Sequence, residues 1–407
     1  MKVFVVNSGS SSIKFQLFSM TNEIVLAKGI VERVGSQEAC LEITSHPDQP
    51  DEKEVRRCIE APNHTAGMKY VIDALVDGEC GVLENVEQIE AIGHRVVHGG
   101  EQMKAPALID DEVIRIIQRN SDLAPLHNPP NLSGIAAAME AIPDKPNVAV
   151  FDTAFLSSMP PEAFRYAVPD EWYREHGIRK YGFHGTSHKY VTRRAAEHLG
   201  KDISVVNLIT AHLGNGCSIT AVRGGKPVDH SMGMTPLEGL MMGTRSGDLD
   251  PAVVFHMIEK GMSPQEVDNV LNKKSGLLGV SGYSNDMRDL LAKAEEGHEG
   301  AELAVRMFVY RIVKYIGAYY AVLPSVDAVV LTGGIGENSI PVRAAVCRRI
   351  KSLGTSLDEY RNNKTIRGEA GPISTDDSTL PVWIVPTNEE LMIARDTRQL
   401  VEEAIRT

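Results

Sequence analysis

The chain has 407 residues, 43% of them hydrophobic and 24% charged, with a formal net charge of -12. That length exceeds one comfortable core and predicts two domains, while the acidic balance argues against a nucleic-acid or anionic-membrane partner. No apolar run approaches the ~18 residues that span a bilayer, and the opening Lys2, V-F-V-V and Asn7 read as a strand, not a signal peptide, so a cytoplasmic location is expected.

Residues 3–14, V-F-V-V-N-S-G-S-S-S-I-K, pass from a β-branched strand through small hydrogen-bonding residues into a second strand carrying Ile13, Phe15 and Leu17. The pattern predicts a β-hairpin. Gly9 permits close backbone approach to a ligand, Ser10 and Ser12 lie among hydroxyls and amides that can cradle oxyanions, and Lys14 adds a point charge. The turn therefore suits phosphate. Residues 38–64 are polar and are expected to form a peripheral excursion. Strands are predicted over 90–97 and 147–152, and helices over 112–122 and 131–141. Prolines at Pro160, Pro161 and Pro169 mark a boundary region over 152–169. Beyond it come a helix over 187–199, strands over 205–213 and 218–223, and helices over 251–260, 263–273, 286–296 and 301–323. Strands over 328–332 and 382–386 and a helix over 389–403 close the chain. This alternation predicts an α/β protein. The five cysteines are scattered, with no C-x-x-C, and read as reduced thiols.

Residues 205–222, V-V-N-L-I-T-A-H-L-G-N-G-C-S-I-T-A-V, repeat the opening theme of strand, small-residue turn and strand. A third glycine turn, T-G-G-I-G-E-N over 332–338, follows another apolar strand. Two such hairpins facing across a cleft, with a third loop, would grip a nucleoside triphosphate from both sides. That is the arrangement expected of the actin, sugar-kinase and heat-shock ATPase superfold. G-x-G-x-x-G and G-x-x-x-x-G-K-[ST] are both absent, so neither a Rossmann nor a P-loop reading is supported.

Arg95, in H-R-V-V-H-G-G, ends a strand before a glycine turn, and Arg245, in M-G-T-R-S-G-D-L-D, lies between Gly243 and Gly247. A guanidinium in either place can fork onto carboxylate or phosphate. His184 and His188 stand four apart in G-F-H-G-T-S-H, but the glutamate of H-E-x-x-H is Gly185 here, which disfavours zinc. His184 can instead donate to a developing charge. Asp152 ends a strand in F-D-T-A-F, and Glu389 opens the last helix where it could reach magnesium; Glu390 is equally available.

These motifs, from N-S-G-S-S-S-I-K to P-T-N-E-E, span residues 7–390 in one order and together resemble the acetate kinase family. The resemblance implies a two-domain actin-like ATPase fold (duplicated ribonuclease H-like) with a nucleotide cleft between domains. Residues 1–152, completed by 387–407, would form the N-terminal domain, and 153–386 the nucleotide-binding and dimerisation domain. The implied reaction is reversible, Mg2+-dependent phosphotransfer between ATP and acetate, giving acetyl phosphate and ADP, with Mn2+ as an alternative metal and a homodimer as the assembly. Carried onto this chain, Arg95 and Arg245 would hold the carboxylate and the transferring phosphoryl group, His184 its equatorial oxygens, and Asp152 would be the essential acid. Asn7 and Glu389 would organise the metal, and Val97, Leu126, Phe183 and Pro236 would receive the acyl methyl. The nucleotide would lie against Ser10, Ser12 and Lys14, against His212, Leu213, Gly214, Asn215 and Gly216, against Asp286, Met287 and Arg288, and against Gly333, Gly334, Ile335, Gly336 and Glu337. One departure is Leu156, where relatives commonly carry histidine. Alternatives stay open: a propionate or butyrate kinase, a pyrophosphate-dependent enzyme, or an actin-like ATPase switch. The branched Val97 favours acetate over propionate, though one methylene changes binding by only ~1–3 kcal/mol.

Overall fold

The computed structural model of the protein describes residues 1–406, which divide into two compact units, Met1–Ser157 with Asn388–Thr407 and Ser158–Thr387. No helix among the described residues is long and apolar enough to cross a membrane.

The first unit holds strands β1 (Lys2–Ser8), β2 (Ser12–Ser19), β3 (Ile24–Glu32), β4 (Cys40–Ser45), β5 (Lys53–Cys58), β6 (Ala91–Val96), β7 (Ala107–Leu108) and β8 (Asn147–Phe151). They form one sheet in the order β5-β4-β3-β2-β1-β6-β8-β7. β1 to β5 run as an antiparallel meander, while β1, β6 and β8 are parallel. The segment expected as a peripheral excursion supplies two strands at one side of this sheet: Leu41 and Ile43 of β4 are buried, and β5 is the polar edge strand. Helix α1 (His64–Val76) was not anticipated, although Asn63 caps it and Met68, Val71, Ile72 and Leu75 recur at helical spacing. Helices α2 (Asp111–Arg119) and α3 (Asn128–Ala141) match the expected pair. α3 approaches the end of β1 closely because Gly134 lacks a Cβ, which would stand 2.0 Å from Ser8 Oγ. Leu156 is fully buried and packs as part of the core.

The second unit holds β9 (Asn207–Leu213), β10 (Cys217–Arg223), β11 (Lys226–His230), β12 (Ala328–Thr332), β13 (Gly371–Pro372) and β14 (Val382–Ile384), in the order β11-β10-β9-β12-β14-β13. An antiparallel β9–β10–β11 meander joined to parallel β12 and β14 repeats the β1–β2–β3, β6, β8 plan. The repeat reaches the turns. Residues 9–11 join β1 to β2, residues 214–216 join β9 to β10, and each turn begins with a glycine amide donating across it. The third turn is different: residues 333–338 form a short helix, Gly333–Asn338. Gly333 is required there, because its φ is +75° and a Cβ would meet the Leu213 carbonyl oxygen at 2.8 Å.

Candidate active site

In the first unit the chemistry gathers at the carboxyl ends of the parallel strands, where α/β sheets place their ligands. Asn7 is the penultimate residue of β1, Arg95 that of β6, and Asp152 directly follows β8. The Asp152 amide donates to the Val96 carbonyl at 2.9 Å, holding the carboxylate beside β6. Arg95 Nη2 donates to Asp152 Oδ2 at 2.7 Å, and its Nε lies 3.2 Å from both carboxylate oxygens. Glu389 Oε2 stands 3.8 Å from Arg95 Nη2. The structure therefore separates two glutamates that the sequence left equivalent. Glu389, not Glu390, makes the ion pair with Arg95.

Burial works against the Arg95 charge, but Asp152 and then Glu389 more than offset it and raise its pKa. For Glu389 burial dominates, with Asp152 and Glu390 opposing further negative charge, and the carboxyl is pushed up to about 7 from 4.5. The folded chain thus keeps this proton to a higher pH than the unfolded chain. Its stabilising contribution is complete below the unfolded value and is lost as pH rises through about 7. Glu389→Gln should flatten that decline, so the melting temperature of the variant relative to the parent is expected to increase between about pH 5 and pH 8. A difference that stays constant over this range would refute the assignment.

Two residues missed from sequence position this cluster. Asn131 on α3 accepts from the Val97 amide at 3.1 Å and donates to the Ser8 carbonyl at 2.8 Å. Asn128 accepts from the His98 amide at 3.1 Å and donates to the His98 carbonyl at 3.0 Å. Their signal was N-P-P-N, two amides three apart at a helix start. Val97 is 8% exposed and Leu126 57%, so the first is walled in while the second faces solvent. In the first turn Ser10 is exposed, the Gly9 amide donates to the Ser12 carbonyl at 2.8 Å, and Lys14 pairs with Asn7 across the hairpin.

In the second unit His184 precedes helix Gly185–His198 with a left-handed φ of +58°. Its ring stacks on His212 with centroids 4.5 Å apart. His184 Nδ1 and His188 Nε2 both bond Ser218 Oγ, at 2.9 and 2.8 Å, and His188 Nδ1 bonds Thr210 Oγ1 at 2.7 Å. The i, i+4 histidines are thus joined through a hydroxyl. Burial keeps His188 neutral, with its pKa well below the usual value. Gly216 faces the other side of this histidine: a Cβ there would lie 3.2 Å from His184 Nε2 and 3.5 Å from Arg245 Nη1. Arg245 donates to the Pro236 carbonyl at 3.3 Å and has no carboxylate partner among the described residues; burial lowers its pKa. Phe183 is buried, and its amide donates to His230 Nε2 at 3.2 Å.

A cavity of about 630 Å³ lies beside the second hairpin turn. Gly214, Asn215, Asp286, Met287, Arg288, Gly334 and Ile335 line it, as do Asn285, Leu291 and Asn338, which sequence reasoning did not select. His212, Leu213, Gly216, Gly333, Gly336 and Glu337, expected against the same ligand, do not line it. Glu337 is a brace: its Oε1 accepts from the Gly333 amide at 2.8 Å and the Thr387 amide at 3.1 Å. Asp286 caps helix Met287–Glu295 and forks onto the Arg288 guanidinium.

A sheet plan used twice, with a glycine turn joining the first two strands of each sheet and charged side chains at the strand ends of the first unit, is that of the actin-like ATPase fold. Residues 2–395 match the acetokinase family, and the chain belongs to it. It is 54% identical over 405 residues to the acetate kinase of Thermotoga petrophila, with 99% of each chain covered. Among solved structures, Porphyromonas gingivalis acetate kinase superposes with a TM-score of 0.92 at 45% identity, covering 98% of this chain and 99% of that one. A propionate kinase from Francisella tularensis gives 0.91 at 40%, with the same coverage.

Proposed function

We propose that the protein is an acetate kinase that moves the γ-phosphoryl group of ATP to acetate, giving acetyl phosphate and ADP in a reversible reaction. The observation that carries this reading is Arg245, a half-buried guanidinium beside His184 with no carboxylate partner among the described residues. It is a positive charge awaiting an anion. An acetate oxygen is already nucleophilic at neutral pH, so no strong general base is required. Its lone pair forms the new O–P bond, and the bridging oxygen of ADP leaves with the electron pair. The protein has to position two anions and neutralise charge in a loose, in-line transition state.

In this reading Arg95 and Arg245 hold the carboxylate and the phosphoryl group, and His184 stabilises the equatorial oxygens. Asp152 orients Arg95 and removes no proton. The nucleotide base and ribose take the 630 Å³ cavity. No three His, Cys, Asp or Glu side chains among the described residues are grouped to cage a metal. That suits Mg2+, which binds through one or two protein oxygens together with substrate phosphates. Asn7 and Glu389 would supply those oxygens, and the ion would neutralise phosphate charge. A homodimer joined through the second unit and a cytoplasmic setting complete the proposal. Exposed Phe255 and Tyr310 on that unit are in keeping with an interface.

Hydroxamate trapping of acyl phosphate with Mg-ATP, comparing acetate, propionate and butyrate by kcat/KM, tests the reading. Acetate is expected to lead, with propionate about 10-fold or more behind if Val97 crowds the added methylene. A propionate preference would keep the mechanism and reject the Val97 argument. Nucleotide hydrolysis without product from any acid would reject the kinase.

A further inference from the structure

Cys40 on β4 and Cys58 on β5 are direct cross-strand partners at the open end of their hairpin, and both are free thiols. The Ile59 amide donates to the Ala39 carbonyl at 3.0 Å, which makes 39/59 a hydrogen-bonded pair. Cys40/Cys58 is therefore the adjoining non-hydrogen-bonded pair. Such pairs bring Cα atoms to about 4.5 Å with both side chains on one face, within the roughly 4.4–6.8 Å that a disulfide bridges. Arg56 shares that face and donates its Nε–H to Cys40 Sγ at 3.2 Å. Cys40 is only 7% exposed whereas Cys58 faces solvent, so the two sulfurs have different access to a reagent.

We propose that Cys40 and Cys58 form a dithiol–disulfide modification site, oxidised by a low-molecular-weight disulfide that Cys58 meets first. The Cys58 thiolate attacks one sulfur of the reagent, breaks its S–S bond and expels one small thiolate. The Cys40 thiolate then attacks Cys58 Sγ, closing the intramolecular bond and expelling the second. Two electrons pass from the protein dithiol to the reagent, and the two thiol protons end on the two released thiols. The remaining cysteines compete poorly. Cys80, Cys217 and Cys347 are buried, and burial pushes their thiols up to about 11, 12 and 12. The bridge would tie the outer strand pair at the root of residues 59–63, which lead to His64. The Nε2 of that histidine lies 2.8 Å from the Gly9 carbonyl in the first phosphate turn.

The test is incubation of the folded full-length protein with oxidised glutathione, followed by acid quench, alkylation and peptide mass mapping. The expected product is one Cys40–Cys58 cross-linked peptide, two hydrogens lighter, carrying no glutathione and reversed by dithiothreitol. Cys40→Ser should instead accumulate a stable glutathione adduct on Cys58, and Cys58→Ser should leave Cys40 unmodified. Reduced Cys58→Ser should keep parental kinase activity, confirming its fold. Parent protein in which Cys58 carries glutathione while Cys40 still alkylates, or in which both remain alkylatable, would overturn the proposal.

Discussion

Arg95→Ala is expected to lower kcat/KM for acetate by about 10²–10³-fold or more, with Arg95→Lys recovering little. The reason is geometric. Arg95 presents a planar fork already locked on Asp152 through Nε and Nη2, so its remaining donors have one orientation in which to meet an anion. A lysine ammonium can supply the charge but not that fork. Asp152→Asn tests the same unit from the other side. It leaves the guanidinium in a buried cluster without its main counter-charge, and breaking a buried pair in this way costs about 3–5 kcal/mol. The variant should therefore lose activity and melt at lower temperature together. Steady-state kinetics and thermal melts at one pH read both effects. Near-parental kcat/KM in Arg95→Ala would remove this arginine from the reaction.

Arg245→Ala should cost a similar about 10²–10³-fold, mostly in kcat, but with the opposite consequence for stability. Arg95 is held by Asp152; among the described residues Arg245 bonds the Pro236 carbonyl and the Met242 sulfur, at 3.3 and 3.8 Å, and no carboxylate. Removing a desolvated charge with no counter-ion relieves a cost rather than creating one. The melting temperature of Arg245→Ala is expected to equal or exceed that of the parent, and added guanidine should restore part of the rate. A large drop in melting temperature with kcat intact would make Arg245 a structural residue.

The strand-end residues Arg95 and Asp152, and Arg245 in its glycine-flanked loop, were legible because their chemistry and their punctuation coincide in sequence: Arg95 ahead of H-G-G, Asp152 after V-A-V-F, Arg245 between glycines. The duplicated hairpins were legible for a related reason, since alternation around a small-residue turn has few other readings. What stayed hidden was set by pairing partners distant in the chain. Glu389 differs from Glu390 only through the direction each takes from the first turn of its helix, which decides which one reaches Arg95. Glu337 lies in the glycine motif yet turns back to brace Gly333 and Thr387, because its segment is helical rather than an open turn. The polar stretch read as a peripheral excursion hid strands β4 and β5 because the edge strand β5 is largely polar, and α1 was passed over although its cap and spacing were present.

The C-terminal helix, Glu389–Arg406, carries a consequence for biogenesis. A Cβ on Gly93 would stand 2.4 Å from Thr397 Oγ1 and 2.8 Å from Ile393 Cγ2, so the middle of the first sheet is shaped to receive helix Glu389–Arg406. On the ribosome, the strands made first must wait for a helix made after the whole second unit. Ser158–Thr387 is contiguous and can close its own core during synthesis, whereas the unit begun at Met1 is completed only once residues 389–406 have been made. The order of folding is then the reverse of the order of translation. A nascent chain stalled before residue 389 would lack both the cover for β6 and the carboxylate that meets Arg95, and would expose a hydrophobic sheet face to chaperones until the final helix arrives.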